Sequence, residues 1–597
     1  MQNLNLEYEV NPLERIFLDK SIECLFYNSI DSYRLRLHNP KSLIEELIIV
    51  INSSINGVLT NNEYVEFTSK ELKKILEDDT DVLIFKSVSK KHYLDILSKP
   101  TRNNYKLIQQ SSKFILKYNQ DYFTTIFDEI YRILDSFKYF LNNKYQIDSA
   151  KEKELNMVKK RLIVLVDYFY IELLTNGFSK QYLYKIFQSI FKFHRKSSTN
   201  FDIQFKIFES IIFKKDENFK IIFAFKDRSF QFHELNRIDS SYFLIDRKER
   251  NKLKPIISEE GKIFLEKNAA NILIGLEYKT KDHFKSVQQG IDKLSKDLDI
   301  YHLGYNVRHY KVESHCLTIA ENEPLKSTAV PSNFQIDGKF NSNALVFNNL
   351  LEKIKKLQGS NIEEESYQKI LSAIRYYRTG SESPELETKF LNYWIGLEFI
   401  FTSFTIEEKT INRIRDYFSK CHSLIYVKRN LFDFHSTLER LGVSSSIINY
   451  GEDMDYLLTN KTFEDIKNNT ESELLKFRAE YFQKWYQEPN KIQEVIDRHQ
   501  NNIKWNITRL YRIRNEIVHN AAIKNGIYTH ISHLKYYLSF ILNSILDFMT
   551  DNAVDMDNDG RISIEDYFVS QEILLGCLKS QKLEKWLEIE YPNQIFQ

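Results

Sequence analysis

An arginine, an asparagine and a histidine are grouped in the stretch "RLYRIRNEIVHNA", residues 509–521. Arg514 is followed directly by Asn515, and His519 comes five residues after the arginine. A guanidinium can bind two oxygens of a phosphate, and an imidazole that titrates near neutrality can remove or supply a proton. These side chains suit metal-independent cleavage of RNA, in which the 2′-OH attacks the adjacent phosphate and leaves 2′,3′-cyclic phosphate and 5′-OH ends.

Apolar residues at helical spacing predict that this motif lies on a helix packed against a core. They are Leu510, Ile513, Ile517 and Ala521. On such a helix, Arg514 and His519 are about 7.5 Å apart along the axis and about 140° apart around it. Both side chains reach one cleft only if the helix lies at an interface, so a partner helix is needed to complete the site. Because Asn515 and His519 are one turn apart, the amide can orient the imidazole or contact the substrate.

The spacing of arginine and histidine is weak evidence by itself, because the chain has 14 histidines and many arginines. The alternative interpretation of the motif is a cationic turn of an ordinary helix. A second pair, Arg415 and His422, occurs in "RDYFSKCH". We interpret that second pair as structural, because it lies on a different predicted helix.

The residues around the motif resemble HEPN domains, the helical-bundle ribonucleases of toxin and antiviral systems. "RNEIVH" resembles their Arg-Asn-x-x-x-His element. Three other stretches resemble the opening, second and last helices of the ApeA-like HEPN subgroup: "KFLNYWIGLEFIF", "TINRIRDYF" and "THISHLKYYLSFILNSIL". The resemblance covers about residues 380 to 550 and does not extend to the first 345 residues.

The resemblance implies that Arg514 binds phosphate, that His519 is the acid and base, and that Asn515 is an orienting polar group. It also implies a homodimer, or a larger homo-oligomer, in which two motif helices face one another. Glu398, in "WIGLEF", is expected to support Arg514 or His519 from behind, with an ordinary structural ion pair as the alternative. No metal is expected in catalysis.

Two further arginines precede the motif on the same predicted helix. Arg509 and Arg512 add positive charge there and are predicted to contact the RNA backbone. Arg512 has a second option, because Glu516 follows it one turn later and can pair with it.

A second motif, "DMDNDGRISIED" at residues 555–566, has the pattern of a calcium loop, with a glycine at its sixth position. The predicted ligands are Asp555, Asp557, Asp559, the carbonyl of Arg561, Ser563 and Asp566. Because aspartate replaces the usual glutamate at position 12, the loop resembles the Asp-ended loops of dockerin-type modules, and Mg²⁺ is an alternative to Ca²⁺. The ion would be structural. The other interpretation is an acidic turn between two helices, without a metal.

Composition limits the class of protein. Lys plus Arg is 83 and Asp plus Glu is 82, so any nucleic-acid site must be local rather than a field of the whole molecule. The four cysteines lack the spacing of a disulfide framework or a zinc site. No stretch predicts a signal peptide or a membrane span, and we expect a cytoplasmic protein without a membrane partner.

Periodicity predicts a multidomain, mainly α protein with an α+β middle region and a C-terminal HEPN-type helical bundle. Alternation of apolar residues in "FDIQFKIFESIIF", residues 201–213, predicts that the α+β region opens with a strand. The predicted units are a mostly helical domain at 1–200, the α+β region at 201–345, the bundle at 346–550, and the calcium-type loop with a final helix at 551–597.

The leading functional hypothesis is an endoribonuclease of the HEPN class in anti-phage defence or growth arrest. Its first 345 residues would sense a trigger, phage-derived or other, or restrain the nuclease. The substrate would be a selected RNA, such as tRNA. The alternative is a non-catalytic protein that uses a HEPN-like bundle for dimerisation or RNA binding. A calcium-responsive scaffold built on residues 551–597 is a third hypothesis.

Overall fold

The computed structural model describes the following residues: 8–26, 38–59, 61–77, 82–86, 88–138, 149–192, 200–226, 230–305, 312–332, 344–359, 361–383, 385–403, 408–443, 454–520, 527–551 and 553–589. They form an N-terminal helical domain, a small antiparallel sheet with helices, and a C-terminal helical assembly. The prediction of a mainly α, multidomain protein is confirmed. Within these ranges, none of the helices combines the length and the apolar character that crossing a bilayer requires.

The N-terminal domain is a set of helices around one apolar core. Asparagine caps open the first two: the side chains of Asn11 and Asn39 accept backbone N–H groups, and a proline occupies the first helical turn. The helices are α1 Pro12–Leu25, α2 Pro40–Ile55, α3 Glu63–Glu77, α4 Lys90–Ser98, α5 Tyr105–Lys117, α6 Tyr122–Ser136, α7 Ser149–Thr175, α8 Lys180–Phe191 and α9 Phe201–Ile212.

The strand predicted at residues 201–213 is wrong, because α9 occupies this stretch. Its apolar residues satisfy both periods. Those at helical spacing, Phe201, Phe205, Phe208 and Ile212, are buried in the N-terminal core. The Asn200 side chain accepts the N–H of Ile203 and starts the helix. The N-terminal domain therefore extends beyond the predicted boundary at 200.

The middle region contains a five-stranded antiparallel sheet of order β2-β3-β1-β4-β5. Its elements are β1 Glu217–Phe225, α10 Phe232–Ile238, β2 Phe243–Leu244, α11 Arg247–Leu253, α12 Glu259–Lys267, β3 Ile272–Thr280, α13 His283–Tyr305, β4 His315–Ala320 and β5 Thr328–Pro331. The pairing of β1 with β3 runs from Glu217 opposite Thr280 to Phe225 opposite Ile272. The α+β character of this region is confirmed.

The C-terminal assembly has two neighbouring apolar cores. Its helices are α14 Ala344–Gly359, α15 Glu364–Glu382, α16 Leu386–Phe401, α17 Thr410–Arg413, α18 Ser419–Arg440, α19 Asn460–Asn469, α20 Glu473–Gln487, α21 Pro489–Asn520, α22 Ile527–Asp551, α23 Ile564–Leu578 and α24 Leu583–Leu587. A short π-helical segment at Ile414–Phe418 joins α17 to α18.

Residues 551–597 do not form the separate unit that the sequence predicted. Tyr567 and Phe568 of α23 are buried in the same core as Trp394 and Leu538. Phe568 stacks on Phe401, the last residue of α16, with ring centroids 4.8 Å apart. The described part of this segment is therefore an integral part of the helical assembly.

Charged and polar side chains join the N-terminal domain to the C-terminal assembly. Ser472, the cap of α20, donates to Asp19 of α1 at 2.6 Å, and Lys159 of α7 pairs with Glu473 at 2.6 Å. Glu23 of α1 pairs with Arg478 of α20. Contacts between domains are often polar in this way. The same N-terminal domain also reaches α21, the helix that carries the Arg-Asn-His motif.

Candidate active site

The helix α21 carries Arg514, Asn515 and His519 in its last two turns. The apolar stripe predicted for this helix is present, since Leu510 and Ile513 are buried and Ile517 packs against the same core. Ala521, the last predicted member, lies outside the described residues. The stripe lies in the same apolar core as residues of α16 and α22, and the motif residues lie on its flanks.

The Arg514 guanidinium is half-buried, with 28% of the side chain exposed. Its Nη1 donates to the Oδ1 of Asn515 at 3.2 Å, and its Nη2 lies 3.9 Å from the Oε2 of Glu398 on α16. Glu398 therefore lies beside Arg514, a position that fits both the supporting role and the ordinary ion pair that the sequence left open. The carboxylate is close enough to orient the guanidinium, but 3.9 Å is too long for a hydrogen bond. Guanidinium N–H groups therefore remain to bind an anion.

His519 is exposed in the last turn of α21. Among the residues that the structure describes, no hydrogen-bond or ion-pair partner of its side chain is found. Asn515, expected to orient this imidazole, instead accepts the hydrogen bond from Arg514. A single chain does not bring His519 and Arg514 together, as the rotation of about 140° between them predicts.

Asn515 has a second partner, Tyr64, which comes from α3 of the N-terminal domain. Burial raises the pKa of the Tyr64 hydroxyl to about 12, and a hydrogen bond with the Asn515 side chain partly opposes that rise. The Tyr64 ring stacks on Tyr511 of α21, with centroids 6.4 Å apart. No sequence pattern singled out Tyr64, because more than 400 residues separate it from the motif.

The predicted RNA contacts of Arg509 and Arg512 need correction, because both side chains are buried. Arg509 Nε donates to both oxygens of Glu46 at 2.9 and 3.0 Å, and its Nη2 donates to Glu71 at 2.6 Å. Arg512 also pairs with Glu46, and its Nε lies 3.7 Å from Glu516. The pairing of Arg512 with Glu516 was the alternative that the sequence left open. Both arginines hold the motif helix to the N-terminal domain.

This buried network has a definite charge state. Burial alone would raise the pKa of Glu46, but the guanidiniums of Arg509 and Arg512 hold it well below its usual value. His38 lies 3.3 Å from Glu46, and burial lowers the pKa of this imidazole to about 3. Two cations thus hold Glu46 ionised, with neutral His38 beside it, whereas burial raises the pKa of Glu71, the other carboxylate that binds Arg509.

The second arginine and histidine pair is structural, as interpreted from the sequence. Arg415 is buried and donates to Glu63 of α3 at 2.9 Å. His422 is fully buried, and its two ring nitrogens are 2.8 Å from His499 Nε2 and from the Tyr536 hydroxyl. All capacity of this imidazole is used inside the core, so it is not a candidate for chemistry.

The calcium-type loop partly matches the predicted ligand set. Carboxylate oxygens of Asp555, Asp557 and Asp559 lie within 4.8 Å of one another. A hydrogen bond from the Gly560 N–H lowers the pKa of Asp555. The loop needs Asn558 and Gly560 at positive φ, 59° and 83°. These three carboxylates are the groups that fit a hard divalent cation.

Ser563 and Asp566, the other predicted side-chain ligands, form the capping box of α23. The Asp566 carboxylate accepts from the N–H groups of Met556 and Ser563 and from the Ser563 hydroxyl, at 2.7 to 2.9 Å. Its oxygens are therefore engaged inside the loop. Arg561, whose carbonyl was the other predicted ligand, donates its N–H to Asp559 at 2.7 Å.

Searches against family models, curated proteins and solved structures gave no match to this chain. The function is therefore inferred from the residues of the site.

Proposed function

We propose that the protein is a metal-independent endoribonuclease of the HEPN class. The observation that carries this proposal is the environment of Arg514. Its guanidinium is half-buried, lies beside Asn515 and Glu398, and has further N–H groups with which to bind an anion. A cation preorganised in this way can stabilise the charge that develops on a pentacoordinate phosphate. An exposed histidine follows one and a half turns later on the same helix.

In the proposed reaction, the 2′-OH of the substrate attacks the neighbouring phosphorus. His519 takes up the proton that the 2′-OH loses and gives it to the leaving 5′-oxygen, and Arg514 holds two phosphate oxygens. The P–O5′ bond breaks, the leaving oxygen takes a proton to become a 5′-OH, and the other product ends in a 2′,3′-cyclic phosphate. DNA is not cut, because it lacks the attacking hydroxyl.

The complete site is proposed to need two copies of the chain. Because Arg514 and His519 diverge around the helix, the histidine of one copy is expected to face the arginine of the other across a twofold axis. Two exposed apolar side chains beside the motif support such an interface: Val518 is 49% exposed and Phe399 is 38% exposed. Both would be covered when two motif helices pack together.

The first 345 residues are proposed to restrain this nuclease until a trigger, phage-derived or other, releases it. Support comes from α2 and α3, whose residues Glu46 and Tyr64 contact α21 directly. A toxic nuclease in the cytoplasm needs such control. Defence or growth arrest is the corresponding biological role.

The test is cleavage of RNA by purified protein in EDTA, with sequencing of fragments that carry a 5′-OH. His519→Ala should lower the rate by about 10²- to 10⁴-fold, the range for loss of an acid–base group, and Arg514→Ala by about 10²- to 10³-fold, the range for loss of a group that stabilises transition-state charge. Arg498→Ala is the matched control, since it removes an exposed arginine from the same helix. Equal cleavage by all three variants would reject the roles of Arg514 and His519. Absence of cleavage by the wild type as well would leave a non-catalytic RNA-binding or dimerisation protein.

A further inference from the structure

The helices α4 and α5 form a strongly basic part of a protein that is otherwise close to neutral. Residues 86–120 contain eight lysine and arginine residues and one acidic residue, Asp95, whereas Lys plus Arg and Asp plus Glu differ by one over the whole chain. Charge of one sign concentrated in one unit produces a local field that a neutral molecule lacks. The field attracts a polyanion.

The charge on α5 is arranged along one side of the helix. Lys106, Lys113 and Lys117 are exposed and are spaced at i, i+7 and i+11, which places them in one row about 16 Å long. A parallel row of Leu107, Phe114 and Tyr118 is also exposed, with Phe114 at 50%. We call these six residues the basic face.

The opposite side of α5 explains why this face points outward. Tyr105, Ile108 and Ile115 are buried in the N-terminal core. Phe114 is exposed among these lysines and adds apolar surface to the outer side of the helix. The Tyr118 ring is also exposed, and the Lys86 ammonium lies 5.5 Å from its centroid.

The basic face is connected to the candidate active site through the start of α3. Arg102, just before α5, donates to the side chain of Asn62 at 3.2 Å. Two residues later Tyr64 stacks on Tyr511 of the motif helix and contacts Asn515. Of the acidic residues at this junction, Glu63 is paired with Arg415, and Glu66 lies near Tyr105.

We propose that the basic face binds a single-stranded segment of RNA that continues into the Arg514 site. This inference rests on the proposed function for the choice of RNA. A row of lysines follows the phosphates, and aromatic rings between them stack on bases; proteins that bind single strands combine these two features. The substrate would then be an RNA with an exposed single-stranded stretch, such as a loop.

Other polyanions are outcomes of the same test. An anionic membrane surface also attracts lysines and exposed apolar residues, and an acidic protein would satisfy the charge. RNA is favoured because the face leads to a site whose groups suit a phosphodiester. A lipid headgroup or an acidic protein would bind the basic face without reaching that site.

The experiment measures binding apart from cleavage. Full-length protein carrying His519→Ala is titrated into a fluorescein-labelled 20-nucleotide single-stranded RNA, and anisotropy is recorded at several salt concentrations. The test variant adds Lys106→Gln, Lys113→Gln and Lys117→Gln. The matched control adds Lys248→Gln, Lys252→Gln and Lys267→Gln, three exposed lysines of the middle region.

We expect the test variant to bind on the order of 100-fold more weakly at 0.1 M salt, with the slope of log affinity against log salt reduced by about two. The control should keep the parent affinity and slope. Phe114→Ala should weaken binding about tenfold without changing the salt slope, because it removes stacking and no charge. This single variant keeps the test valid if the triple variant unfolds.

Equal affinities of the test and control variants would overturn the proposal. Stronger binding to phosphatidylserine vesicles than to RNA, lost in the same test variant, would assign the face to a membrane instead. The outcome is independent of the nuclease assay: binding without cleavage rejects only the proposed function, and cleavage with unchanged binding in the test variant rejects only the basic face.

Discussion

Arg509 of the motif helix and Glu46 of α2 form a buried ion pair, although 463 residues separate them in the chain. The guanidinium Nε is shared between the two carboxylate oxygens, and Arg512 binds the same carboxylate. One glutamate therefore compensates two buried cations, with Glu71 as the second acceptor for Arg509. Glu46 therefore holds the motif helix in place against the N-terminal domain.

Glu46→Gln should destabilise the protein by about 3–5 kcal/mol, because it removes the one carboxylate that two buried guanidiniums share. Urea unfolding measures the change. Glu77→Gln is the control: it breaks an exposed pair with Lys73 at 3.8 Å and should cost about 0.5 kcal/mol or less. Equal midpoints for the two variants would show that the buried pair has no such role.

Tyr64→Phe should increase the rate of RNA cleavage about two- to tenfold, if the N-terminal domain restrains the nuclease as proposed. The substitution removes only the hydroxyl that contacts Asn515, and a single hydrogen bond contributes roughly 0.5–1.5 kcal/mol. Initial rates at low RNA concentration give the comparison. Tyr131→Phe, at an exposed ring of α6, should have no effect. A slower Tyr64→Phe enzyme would mean that this contact assembles the site instead of restraining it.

Stability should fall in acid because buried histidines stay neutral in the folded protein. Burial lowers the pKa of His499 to about 3 and that of its partner His422 well below its usual value. In the unfolded chain each imidazole takes up a proton near pH 6.5, so each costs about 1.4 kcal/mol per pH unit as the pH falls from 6.5 towards 3.

His499→Gln should therefore reduce the dependence of the unfolding free energy on pH by about one proton between pH 6 and 4. Urea unfolding across that range measures the slope. His92→Gln, at an exposed position of α4, should leave the slope unchanged. An unaltered slope in His499→Gln would mean that this imidazole is protonated in the folded state.

Gly396→Ala should destabilise the bundle by about 1–3 kcal/mol through overpacking. A Cβ at this position of α16 would lie 2.8 Å from Leu538 of α22 and 3.3 Å from the Cβ of Tyr376 of α15. The three helices approach closely because no side chain separates them there. Gly576→Ala on α23 meets nothing within 4 Å, and helix propensity should make it neutral or stabilising by up to about 1 kcal/mol. Thermal unfolding of both variants tests the contrast, and a stabilised Gly396→Ala protein would contradict the close approach.

Calcium or magnesium should raise the thermal midpoint if the three loop carboxylates hold a cation as the sequence predicts. A ligand at 100 times its dissociation constant stabilises a protein by about 2.7 kcal/mol. Asp557→Asn should remove the effect, since it takes one of the three clustered carboxylates away. Asp128→Asn, at an exposed residue of α6, serves as the matched control. Identical midpoints in either ion and in EDTA would reject the metal and favour the simple acidic turn.

Local patterns determined the elements that carry the candidate site. The apolar stripe through Leu510 and Ile513 predicted the motif helix, because burial of one helical face depends only on residues within a few turns of one another. Periodicity failed at residues 201–213, where the same apolar residues fit both a strand and a helix. The cap at Asn200 and the N-terminal core decided in favour of the helix.

By itself the sequence determined that Arg514, Asn515 and His519 lie on one helix, with an apolar stripe between the arginine and the histidine. Only the tertiary structure decided which arginines are free to bind an anion. Arg509 and Arg514 have the same chemistry and lie on one helix. Arg509 is buried and pairs with Glu46 and Glu71, whereas Arg514 lies beside Glu398 and is partly exposed. The physical reason is that the role of a charge depends on the partners and solvent around it, and these come from helices that are remote in the chain.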